Sequence, residues 1–124
     1  MSLLLILALA VAPSAPVVDS PDVGTCMRAA AVVAKSTVKD SDHDGCVCTV
    51  QQLHKFLNPG DYELHQKMEE IIATGADEKS FNTQLSDILK KRGMNQADAD
   101  AFLTRSRTAE YRAQDVCNPS PLLR

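Results

Sequence analysis

The chain has no tryptophan, two tyrosines and three phenylalanines among 124 residues, too few aromatics for the stacking platforms on which bases or sugar rings are held. It has no excess of positive charge either. Thirteen Lys and Arg against sixteen Asp and Glu give a net charge of −3 and a pI near 5.5, which leaves no electrostatic footprint for a phosphate backbone and excludes nucleic acid as a partner class. Phosphate-cradling glycine loops, dinucleotide fingerprints and the nucleophile-elbow pattern are all absent. So are strand-type alternation of useful length and internal repeats. Only one long apolar run occurs, Leu3 to Ala12, and at about ten residues it is half of what a membrane-crossing helix needs.

That run, followed by the small and proline-bearing Pro13-Ser14-Ala15-Pro16, has the form of a secretory signal segment. The expected organisation is a signal peptide over residues 1–15, a mobile leader over 16–21, a helical domain over 22–118 and a tail over 119–124. An exported chain, periplasmic or secreted, follows, with membrane association only if the signal segment is retained. Export also makes the four cysteines intelligible, because an even set in an oxidising compartment pairs into disulfides. Cys46 and Cys48 are two residues apart, about 6.5 Å between Cα atoms in extended chain, near the upper limit for a disulfide. They are therefore expected to reach separately to Cys26 and Cys117, in either pairing. A bridge from this pair to Cys117 would close about 70 residues and stabilise by about 4 kcal/mol in the chain-entropy model.

Periodicity predicts an all-α array of about five short helices. The first runs from Pro21 to about Lys39 with Met27, Ala30, Ala34 and Val38 as its stripe. A loop, Asp40 to Cys48, precedes a short helix opened by a Thr49–Gln52 capping box and carrying Leu53, Phe56 and Leu57. Asn58 and Pro59 open the third helix, with Tyr62, Leu64, Met68, Ile71 and Ile72 inward and Gly75 at its end. Asp77 opens the fourth, with Phe81, Leu85, Ile88 and Leu89 as its core face and Gly93 closing it. The last starts at Asn95 and carries Ala99, Phe102, Leu103, Ser106, Ala109, Ala113 and Val116 towards Cys117.

Chemistry-bearing residues concentrate in Asp40-Ser41-Asp42-His43-Asp44-Gly45-Cys46-Val47-Cys48. Asp40, Asp42, Asp44 and Gly45 stand at positions 1, 3, 5 and 6 of a calcium loop, Cys46 offers its carbonyl at position 7 and Val47 fills the apolar position 8. This pattern resembles an EF-hand loop and, with Cys48 at position 9, is similar to the secreted excalibur calcium loop. The resemblance implies a Ca²⁺ site built from Asp40, Asp42, Asp44, Cys46 and Gln51. Gln51 stands where such loops have a bidentate glutamate, so the implied affinity is millimolar or weaker. Without the ion, the same residues make a turn-rich connector.

Two further constellations offer ligands. His43, Cys46, Cys48 and His54 supply N and S donors for zinc or copper, on condition that the thiols are free. His65 and Glu69 are four apart and share a helix face, an arrangement suited to a metal pair or an acid/base pair. No catalytic residue set emerges. The expectation is an exported, disulfide-stabilised module that binds rather than catalyses, presenting an apolar groove or helix face to a protein partner. The alternative is a weak calcium module on the Asp40–Cys48 loop, and third a transition-metal or redox protein if the cysteines are free.

Overall fold

The structure, a computed structural model, describes residues 20–118. The expected signal segment, residues 16–19 of the leader and the tail lie outside the described residues. The described chain forms five α-helices, α1 (Pro21–Ala34), α2 (His43–Phe56), α3 (Pro59–Ala73), α4 (Glu78–Lys91) and α5 (Gln96–Cys117), with a 3-10 turn at Asp40–Asp42 and no strand.

Four of the helices begin where a side chain accepts an otherwise orphaned N–H. Ser20 caps α1, Asn58 caps α3, Asp77 caps α4 and Asn95 caps α5. At α5 the box is reciprocal, the Asn95 side chain taking the Asp98 N–H while the Asp98 carboxylate takes the Asn95 N–H. Pro21 and Pro59 sit at the first helical turns, where a missing N–H costs nothing. Gly75 and Gly93 have φ of 78° and 72°, the left-handed geometry in which a helix is closed without a Cβ clash. Ser20 and Pro21 thus belong to α1 rather than to a leader.

Two expectations fail locally. First, α1 stops at Ala34 rather than near Lys39: Lys35 adopts φ 52°, ψ 45°, and the Lys35 and Ser36 N–H groups return to the Val32 and Ala31 carbonyls, a Schellman closure made without glycine. The buried face of α1 is Val23, Thr25, Ala29 and Ala31, while Ala34 and Val38 are exposed. Second, the segment from His43 to Cys48 is helix, not loop. Asp42 and Asp44 lie at the positive end of α2, where carboxylates are favoured. Gly45 costs about 1 kcal/mol in a helix interior, and burial of Cys46, Val50 and Leu53 outweighs it. Thr49, inside the helix, donates its hydroxyl to the Gly45 carbonyl at 2.9 Å instead of capping.

Cys26 pairs with Cys46 and Cys48 with Cys117, at Cα separations of 5.8 and 5.7 Å, and no cysteine is free. Residues two apart on a helix point about 200° away from each other, so Cys46 faces α1 and Cys48 faces the end of α5. The pairing that the sequence left open is settled. The bonds require an oxidising environment for their formation. Among the described residues no helix is long and apolar enough to cross a membrane.

The widest helix contacts are between non-consecutive pairs, α2 with α5 and α1 with α3. One core cluster joins Val23, Cys46, Val50, Leu53, Leu57, Tyr62, Ala109 and Ala113. A second joins Leu64, Met68, Leu85, Leu89 and Phe102. α3 and α5 contribute to both, so these two helices carry the junction between the halves.

Candidate functional site

Across that junction, α3 and α5 exchange two polar contacts. Arg105 donates to Asp61 through Nε at 2.6 Å and Nη2 at 3.0 Å, a forked guanidinium–carboxylate pair. Donating these hydrogen bonds to Asp61 holds the Arg105 guanidinium more firmly protonated than usual. One turn on, His65 Nε2 stands 2.8 Å from Glu110 Oε1. From Asp61–Arg105 to His65–Glu110 both residue numbers rise, so α3 and α5 run in the same sense here. Asn58 and Pro59 fix the start of α3, the Asn95–Asp98 box fixes that of α5, and Cys48–Cys117 anchors its end.

His65 is 1% exposed. Glu69, one turn further on α3, places Oε1 3.9 Å from Nε2. The three side chains bring one ligand atom each to within 4.8 Å of one another, and no other group of three or more His, Cys, Asp or Glu does so among the described residues. Glu69 and Glu110 keep 23% and 42% of their side-chain exposure. The histidine is the floor and the carboxylates are the rim. Burial pushes the Glu69 carboxyl above its ordinary value, the Coulombic attraction of His65 opposes this and the negative charge of Glu110 adds to it.

The cluster opens on a cleft of about 520 Å³. Its apolar wall includes Ala30, Val50, Leu53, Ile72 and the Cys26–Cys46 bridge, and Gln66 and Gln114 add amides. Two atoms of its lining residues are buried without a partner, His65 Nδ1 and Gln66 Nε2. A buried polar atom left unpaired costs about 1–3 kcal/mol. The Thr49 hydroxyl, also in the lining, is committed to Gly45, so no free nucleophile of that type faces the histidine from α2. Holding a cation or relaying a proton is what an imidazole and two carboxylates in this arrangement can do.

The residues expected to bind calcium are placed differently. Asp40 and Asp42 lie in the 3-10 turn, Asp44 in the first turn of α2, Cys46 is buried within α2, and Gln51 is exposed on it. The three aspartates do not converge with one another. Only Asp42 lines the cleft, and Asp44 contacts His43 Nδ1 at 3.3 Å while fully exposed. In α2 the Cys46 carbonyl belongs to a helical turn rather than to a loop. The zinc or copper set is also dispersed: both cysteines are consumed in disulfides, and His54 stacks on Tyr62 at 3.8 Å between ring centroids. Tyr62 donates to Asp22 at 2.6 Å, and burial, helped by that hydrogen bond, raises its hydroxyl pKa.

Of the sequence candidates, then, the His65–Glu69 pair is the one completed in space. Glu110 went unrecognised because it lies 45 residues away. Its only sequence signal was an acid wedged between Ala109 and Ala113 on the apolar stripe of α5. Set against known proteins, the chain matches no family model, no curated protein and no solved structure.

Proposed function

We infer that the protein is an exported, disulfide-locked binding module whose ligand presents a cationic centre to the cleft over His65, Glu69 and Glu110. One observation carries this reading. A histidine almost completely removed from solvent sits beside two carboxylates at the base of an open cleft, with polar atoms of the lining left unpartnered. A purely structural tie is better served by the geometry of Asp61 and Arg105, which is forked and complete within the chain. The His–Glu–Glu cluster has instead a spare, partly exposed carboxylate, the surplus that a ligand would absorb. The apolar wall gives the cleft the character of a binding groove. Export of the chain is supported by the two disulfides and by the signal-like apolar run at its start.

Two-dimensional NMR of the oxidised full chain tests this. Titration with small cations, organic ammonium and divalent metal among them, is expected to move the resonances of His65, Glu69, Gln66 and Glu110 saturably and together. Shifts spread over Asp40, Asp44 and other exposed acids, with none at the cluster, would contradict it.

A further inference from the structure

We propose that the ligand held by His65, Glu69 and Glu110 is a divalent transition-metal ion of the zinc class, bound through His65 Nε2 and one carboxylate oxygen from each glutamate. This rests on the cleft being a cation site and names the cation. Zinc sites open to a substrate or water use three protein ligands of imidazole and carboxylate type. With metal–ligand bonds of about 2.0–2.1 Å, adjacent ligand atoms of a tetrahedral site stand about 3.3 Å apart. The present separations of 2.8 Å and 3.9 Å from Nε2 to the two carboxylates bracket that value, and the two carboxylates, within 4.8 Å of each other, close to it by rotation of the glutamate side chains through up to about 1.5 Å. Metal binding takes the neutral imidazole as its Nδ1–H tautomer: the contact between Nε2 and Glu110 Oε1 opens, the ring proton sits on Nδ1, and the Nε2 lone pair forms the metal bond with no net loss of a proton from the ring.

The donor set separates a metal from an organic cation: an imidazole nitrogen and two carboxylate oxygens from three side chains lie within 4.8 Å of one another, a combination that suits zinc. Calcium fits poorly, because it takes six to eight oxygens and this site offers two carboxylates and a nitrogen. All four thiols are bonded, so the site is independent of the cysteine-based one suggested by the sequence.

The experiment uses the oxidised full chain, stripped with chelator and titrated calorimetrically with Zn²⁺, with Co²⁺ visible absorption as a second readout and propylammonium followed by NMR as a separate arm. One ion per chain is expected, with a tetrahedral-type Co²⁺ spectrum. Glu69→Gln and Glu110→Gln, at partly exposed positions that tolerate the change, should each weaken zinc by about tenfold or more, and Ca²⁺ should not compete. Absence of saturable zinc binding, or binding unchanged in both variants, overturns the proposal. If zinc fails while propylammonium still moves the Glu69 and Glu110 resonances, the metal assignment falls and the cation cleft stands. If neither binds, both fall.

Discussion

Two acidic regions of this chain look unequal in sequence and are unequal in space, in the opposite order. Asp40, Asp42 and Asp44 stand at alternate positions of one short stretch, yet they spread over a 3-10 turn and a helix start and do not converge. Glu69 and Glu110, on different helices, meet at a buried histidine. Local density of carboxylates predicts helix-end electrostatics and turn chemistry well. A site needs convergence and desolvation, and those come from tertiary packing. A helix start also disposes of a loop motif, because its backbone carbonyls turn to the helix and its side chains fan out by about 100° per residue.

The buried cluster is disrupted most severely if α5 is released. Replacing Cys48 and Cys117 by serine opens a loop with a sequence separation of 69 and should cost about 4 kcal/mol, seen as a fall in the urea midpoint. The shorter Cys26–Cys46 loop, separation 20, should cost about 3 kcal/mol. The first change should also scatter the NMR signals of Glu110 while leaving those of Asp40 and Asp44 in place. A smaller effect is expected for His65→Gln. It leaves Glu69 and Glu110 facing each other without an imidazole, and because both keep some solvent the loss should be about 2 kcal/mol, measured by the same denaturation. Smallest is the change in the other region. Asp40, Asp42 and Asp44 converted together to Asn should alter stability by no more than about 0.5 kcal/mol, and millimolar Ca²⁺ should leave the melting temperature of the parent protein unmoved.

Most helix boundaries were legible because their signals are local. Asn58-Pro59, Asp77, Gly93 and Asn95 act within one turn, and each does in the fold what its chemistry suggests. The start of α2 was not legible. Gly45 and three nearby aspartates favour a turn by local rules, whereas Cys46 and Cys48 are bonded to partners 20 and 69 residues away, and only those non-local bonds and the burial of Val50 and Leu53 make helix the better solution. The end of α1 was missed for a related reason, since Lys35 is a residue that sequence rules do not place in the left-handed region. Half of the site was visible as His65 and Glu69 at helical spacing. The other half, Glu110, depends on α3 and α5 lying side by side in the same sense, which no local pattern encodes.

Glu69 is where a cluster built to bind and a cluster built to stabilise would behave differently. Its carboxyl is raised above the ordinary value in the fold, so the folded state holds the proton more tightly than the unfolded chain. The cost of ionising it is therefore fully present above the folded pKa and is relieved as pH falls through that value. Glu69→Gln lacks the cost. Measured on metal-free protein, its melting temperature should exceed that of the parent by about 3 °C at about pH 8, and the gap should close by about pH 4. A variant that melts below the parent at the higher pH would show that Glu69 is a structural tie and would contradict the binding site.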